Sequence, residues 1–303
     1  MTDQLFEHRY TAGIIVGVVF GMLARLTMLR TDYRQYPTYP HGRIIHISLG
    51  VIAAALGAVA VPSLFDKNYT AITFLTVAAQ QFRDVRNMER NTLTKLDEME
   101  LVPRGGTYIE GIAMVFEGRN YLVIFTAFTG SLFTILWGPY WGSVFGTAAI
   151  LISQWFKSGK SVSHAAEVEI ADVILEGPDL YVGDIYIMNV GLSADRDIIR
   201  EHALGLILKP KNRNFRVSLA NLGQRQAMLH DLATILGVYR DSGEPTLVPL
   251  GKLDMNDGRL ALFVLPQERD AEKARQVLLR VPLLESAVRM PSESGAQAKK
   301  GGA

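Results

Sequence analysis

Four apolar runs constrain this chain more than any other feature: residues 12–29, 44–65, 121–137 and 141–156. A bilayer core takes about 20 apolar residues in a helix, so each run is long enough, or nearly so, to cross one. After Lys157 charged residues return and stay, so 49% hydrophobic content and a net charge of +1 are averages over two unlike halves. The pattern predicts a polytopic membrane α-helical bundle over residues 1–160 and a soluble α+β domain over 161–291. Residues 292–303, "SESGAQAKKGGA" with their flank, read as a disordered tail.

A fifth segment, "NYTAITFLTVAAQQF" at 68–82, is short and becomes polar at one end. If it crosses as well, there are about five spans. Five spans collect the basic loops on one side: Arg30, Arg34 and Arg43; then Arg83, Arg86, Arg90, Lys95 and Arg104; then Lys157 and Lys160. Positive charge marks the cytoplasmic side. The expected location is therefore the cell membrane, with the N-terminus outside and the C-terminal domain in the cytoplasm. The start, "MTDQLFEHR", lacks the basic leader of a cleavable signal peptide.

Composition also excludes chemistry. The chain has no cysteine, so thiolate metal sites and disulfides are ruled out, and its six histidines form no H-x-x-x-H pair. No metal and no cofactor are expected. A net charge near zero gives no reason to expect nucleic acid. The expected partners are the lipid bilayer and a protein partner or substrate of unspecified kind, with a homodimer as an option.

Polar residues inside the apolar half are the candidate functional groups. Gly13, Gly17 and Gly21 repeat every fourth residue, which lets another helix approach closely, and Arg25 continues that face. Arg25 either snorkels to the interface or points into the bundle, where it would meet a carboxylate. His46 reads as an interfacial histidine. In the third segment Thr73, Thr76, Gln80 and Asp84 form a polar stripe that runs on into a charged amphipathic helix ended by Pro103 and Gly105–Gly106. Beyond it, Glu110 and Glu117 lie seven apart and so share a helix face. They suit separate pairings, with Arg119, Arg25 or the Arg83/Arg86 pair as partners, or they face headgroups and water. Arg25, Asp84, Glu110, Glu117 and Arg119 are thus a candidate acidic and basic cluster at the membrane interface.

The hexapeptide "YIEGIA" at 108–113 resembles the signature of the YIEGIA family of membrane proteins, in length and layout over essentially the whole chain. The resemblance implies an integral membrane protein of endospore-forming bacteria. It carries over no biochemical role.

In the soluble half, "VEIADVIL" and "DLYVGDIYIMNV" flank the turn "EGPD", and a helix with Ser193 as N-cap follows. "GLILKP" and "FRVSLA" flank "KNRN"; "TLVPLGKL" and "RLALFVL" flank "DMNDG"; each pair precedes a helical stretch. Hairpin then helix, three times, suggests repeated ββα units. One short string has catalytic potential: Asp241-Ser242-Gly243 matches the D-[ST]-G loop of dimeric aspartic proteases, in which two aspartates share a proton. The layout also looks like the membrane-tethered sporulation protease that processes a sigma factor. Yet Tyr239 and Arg240 stand where that family has apolar strand residues, and "RDSGEP" is also good turn chemistry. The leading expectation is a sporulation-associated regulatory or partner-recruiting membrane protein. A membrane-tethered aspartic-type protease using Asp241 is the alternative, and a transporter comes third.

Overall fold

The computed structural model describes residues 2–33, 40–155, 159–240 and 248–288. Among these the chain forms eleven helices and seven strands and divides into two compact units. Met1–Leu93 and Ile112–Ser158 make the first, and Thr94–Gly111 and Gly159–Ala303 the second. Asp241 and the tail from residue 289 lie outside the described residues.

The first unit is built from α1 (Thr2–Asp32), α2 (Pro40–Phe65), α3 (Tyr69–Asp97), α4 (Gly106–Trp137) and α5 (Pro139–Trp155). Among the described residues, three helices are long and apolar enough to cross a membrane, over His8–Leu29, Gly42–Phe65 and Gly106–Trp137. Counted by length and composition, that is fewer than the about five expected. The later part of α3 carries Arg83, Asp84, Arg86, Glu89 and Arg90. The 17 described residues of α5 stand at the lower end of what a bilayer core takes, about 17–25.

Small residues hold the bundle together. A Cβ on Gly17 would lie 2.6 Å from the Ala127 carbonyl oxygen and 2.9 Å from the Ala58 side chain, so α1 is pressed against both α2 and α4. Ala24, Met28, Ala53, Ala54, Phe82, Val123 and Ala127 form the core between them. Polar contacts between helices tie it further: Ser131 Oγ donates to the Ala58 carbonyl at 2.9 Å, and Gln154 Nε2 to Thr27 Oγ1 at 2.6 Å.

The second unit contains α6 (Val162–Ala165), β1 (Ala166–Ala171), β2 (Val173–Glu176), β3 (Asp179–Val182), β4 (Ile185–Asn189) and α7 (Ser193–His202). There follow β5 (Leu204–Pro210), α8 (Arg213–Ala220), α9 (Leu222–Leu236), β6 (Leu250–Leu253), β7 (Leu260–Val264), α10 (Ala271–Arg280) and α11 (Glu285–Val288). All strand pairs are antiparallel, in one sheet of order β1-β5-β7-β6 and another of order β2-β3-β4. Antiparallel sheets usually alternate apolar and polar residues, yet "LALFV" in β7 is buried throughout. Both faces are covered. Ile207, Ala261 and Phe263 meet Leu180, Val182 and Ile185 of the smaller sheet, and α9 and α10 pack on the other side. Each of the larger side chains, Ala261 excepted, stabilises the fold by about 1.5–3 kcal/mol through burial.

The α+β class holds, with the helices on an antiparallel sheet, but the repeated ββα units do not. "FRVSLA", expected as a strand, is helix α8. Asn212 is its N-cap and accepts a hydrogen bond from the Phe215 amide at 3.0 Å, so the first turn is satisfied locally. β5 finds its partners instead in β1 and β7. "VEIADVIL" splits at Asp172 into β1 and β2, which enter different sheets. The N-cap of α7 is Leu192 rather than Ser193, with no side-chain cap bond. Asn212→Ala is expected to lower the unfolding free energy of this unit by about 1 kcal/mol. Asn212→Ser should recover most of that loss in a denaturant titration.

Candidate functional site

Arg25 and Asp32 lie seven residues apart on the face of α1 that the glycines mark, so their side chains stack along the helix. The guanidinium of Arg25 donates through Nη1 to Asp32 Oδ2 at 3.1 Å and through Nε to the His46 carbonyl at 3.3 Å. From α4, Arg119 Nε donates to the other oxygen of Asp32 at 3.1 Å. One carboxylate thus bridges two guanidiniums, and all three side chains are buried. His46 at the start of α2 and Glu89 of α3 are hydrogen-bonded, Nε2 to Oε1, at 3.3 Å. Phe116 closes the group from α4, with its ring 4.6 Å from the His46 ring and 5.3 Å from the Arg25 guanidinium carbon. One turn further along α4, Asn120 is 0% exposed, and neither of its amide atoms is hydrogen-bonded among the described residues.

This arrangement engages five charged or titratable side chains from four helices at one end of the bundle. Arg25 and Arg119 are brought together, through Asp32. Glu117 pairs with Arg86 at 3.1 Å and accepts from Tyr121 at 3.1 Å, so Arg86 is its partner. Asp84 is exposed, and Glu110 is half-buried and belongs to the second unit. His46, expected at the interface, is fully buried, because Tyr33, Phe116 and Glu89 enclose it. Asp32 and Glu89 were missed by the sequence reading. The signal for Asp32 was available, since it repeats from Arg25 at the same seven-residue spacing that linked Glu110 to Glu117. Glu89 gave no such sign among the many charges of α3.

The hexapeptide at 108–113 opens α4. Tyr108 is buried and Arg104 lies over its ring, with the guanidinium carbon 5.9 Å from the centroid. A Cβ on Gly223 of α9 would lie 3.0 Å from both the Tyr108 Cα and its amide nitrogen, so even an alanine methyl would press on this backbone. Beside it, His230 Nδ1 donates to the Val102 carbonyl at 2.7 Å. Asp97 accepts from the amides of Arg104 and Gly105, at 2.8 and 2.7 Å, and so shapes the turn between α3 and α4. Burial pushes the Asp231 carboxyl up, against the opposing pull of His230 and Arg104. Residues 94–111 are therefore part of the second unit's core.

The family model described as YIEGIA protein matches residues 13–294. The chain belongs to the YIEGIA family. It is 54% identical over 286 residues to "Uncharacterized protein YphB" of Bacillus subtilis (strain 168), a match that covers 94% of this chain and 96% of that protein. No solved structure matches.

Within the YIEGIA hexapeptide the physical roles are distinct. Tyr108, Ile109, Ile112 and Ala113 are buried. Gly111 comes close to α11, where an added Cβ would lie 2.8 Å from Ser286 Oγ. Glu110 is its one charged residue. Packing and close approach account for the others. Elsewhere in the second unit, Arg259 donates to both oxygens of Asp184, at 2.8 and 2.7 Å. Those bonds hold the Asp184 carboxyl below the usual carboxylate range. No group of His, Asp and Glu among the described residues has the arrangement of a metal site.

Proposed function

We propose that this chain is a multi-pass membrane protein that presents its α+β unit at the cytoplasmic surface to recruit or regulate a protein partner. The endospore-former setting implied by the family resemblance makes sporulating cells the place to test it. One observation carries the reading: Arg25, Asp32, Arg119, His46, Glu89, Arg86 and Glu117 are paired with one another across the helices. Charges paired in this way leave one another compensated inside a bundle that excludes water. A solute pathway would need such groups turned toward a water-filled cavity.

On this reading α3 and α5 cross the membrane as well. An added Cβ on Gly146 of α5 would meet the Phe20 ring, and Gln154 bonds Thr27, so α5 follows α1 for most of its length. Ile72, Leu75 and Ala79 of α3 line a groove with Leu64, Ala60 and Leu56 of α2, and Glu89 meets His46 at the other end. Shared depth with an apolar helix supports crossing where composition alone does not. An odd number of crossings, with the basic loops on the inside, supports a cytoplasmic position for the second unit.

The chain's lack of cysteine makes this directly testable. Single cysteines at Lys67 and Tyr140 should react with an impermeant maleimide added outside intact cells, whereas one at Ile235 should react only after lysis. Labelling of Ile235→Cys in intact cells would reverse the orientation. Recruitment is checked by a photo-crosslinking amino acid at Ile235 and, for comparison, at the lipid-facing Val19. Protein adducts from the first alone are expected. Solute flux through the purified chain in liposomes would favour a transporter instead.

A further inference from the structure

The smaller sheet of the second unit has one face that the core does not use. Leu180, Val182 and Ile185 point into the core, with Val173 and Leu175 packed against them. Alternation along the strands therefore sends Ile174, Tyr181 and Tyr186 to the opposite face. Register places these three in one row, Ile174 opposite Tyr181 and Tyr181 opposite Tyr186. The two tyrosine rings meet edge to face with centroids 5.5 Å apart. Ile174 and Tyr186 each remain 41% exposed. The solvated face of an antiparallel sheet is ordinarily polar, so a row of three large side chains with apolar bodies is the pattern of a contact surface.

The neighbouring row is acidic. Glu176 stands opposite Asp179, and Asp179 opposite Asn189, which donates to it at 3.1 Å. No lysine or arginine lies between Lys160 and Arg196 in the chain. Arg259, from outside this stretch, is bonded to Asp184 and Asp257.

We infer that this face docks a cationic segment of a protein partner, with apolar side chains on the Ile174–Tyr181–Tyr186 row and lysines or arginines toward Glu176 and Asp179. The inference rests on the recruiting role proposed above and specifies the chemistry of what is recruited. The sign of the charge selects the occupant. A second copy would set the same carboxylates face to face, and anionic lipid or nucleic acid would be repelled. A basic segment is drawn in by the field and then held by the aromatic row.

The test uses the full chain in phosphatidylcholine nanodiscs, whose surface is uncharged overall, and a synthetic peptide that alternates lysine with valine and tryptophan. Saturable binding that weakens with added salt is expected, together with no binding of the same peptide carrying glutamate in place of lysine. Tyr181→Ser with Tyr186→Ser, and separately Glu176→Lys, should each weaken binding about tenfold. Glu176→Lys leaves the aromatic row intact, so it stays informative if the double variant unfolds. Unchanged affinity in Glu176→Lys overturns the proposal. In cells, a photo-crosslinker at Tyr186 should give a protein adduct that Glu176→Lys removes. Adducts from Ile235 alone would overturn this face and leave the recruiting role standing. Adducts from neither position would overturn both.

Discussion

Asp32→Ala is expected to destabilise the membrane unit by about 3–5 kcal/mol, the usual cost of breaking a buried ion pair from one side. The single carboxylate bridges Arg25 and Arg119, and removing it leaves two buried guanidiniums facing each other. Asp32→Asn should cost less, since it keeps an acceptor for one donor. Replacing all three groups together, Arg25→Met with Asp32→Leu and Arg119→Met, should recover most of the loss, because no uncompensated charge then remains. The measurement is reversible unfolding of the purified chain in mixed micelles. A change below about 0.5 kcal/mol for Asp32→Ala would mean that the site is hydrated and its charges screened.

Gly57→Leu is expected to prevent the bundle from assembling. A Cβ at Gly57 would lie 2.3 Å from the Ile124 carbonyl oxygen and 3.0 Å from its carbonyl carbon and Cα. These are backbone atoms that cannot swing aside, so α2 and α4 must separate. Separation would open the core of Ala53, Ala54, Ala58, Val123 and Ala127, and overpacking of this kind commonly costs about 1–3 kcal/mol or more. Gly118→Leu is the matched control, since nothing lies within 4 Å of a Cβ there. The two variants should differ in monodispersity after extraction and in resistance to protease. Equal behaviour would show that the α2–α4 contact can relax.

Much of this molecule was legible before any coordinates. The glycine face of α1, the helical stretches at 193–202, 222–236 and 271–280, and the hairpin of β6 with β7 follow from spacing and turn chemistry. For Arg25 the glycine face left two readings open, snorkelling or pointing inward, and the structure buries it. "FRVSLA" was misread because five alternating residues fit a strand as well as a helix; what decided was the Asn212 cap and the burial of Ser218 and Leu219. The partner of Glu117 was one of several arginines named, and only packing selected Arg86.

The sequence by itself determined that the first half must bury long apolar runs, that an α+β unit follows, and that the hexapeptide at 108–113 belongs to the YIEGIA pattern. The first two are properties of local period and composition, which neighbouring residues alone set; the third is a resemblance that the hexapeptide carries. Only the tertiary structure decided that Asp32 and Glu89, separate in sequence and on different helices, join Arg25, His46 and Arg119 in one buried group. It also decided that residues 94–111 pack with the second unit, and that Ile174, Tyr181 and Tyr186 share an open face. Charge pairing and sheet register act between segments far apart in the chain, so no local pattern encodes which partner each side chain meets.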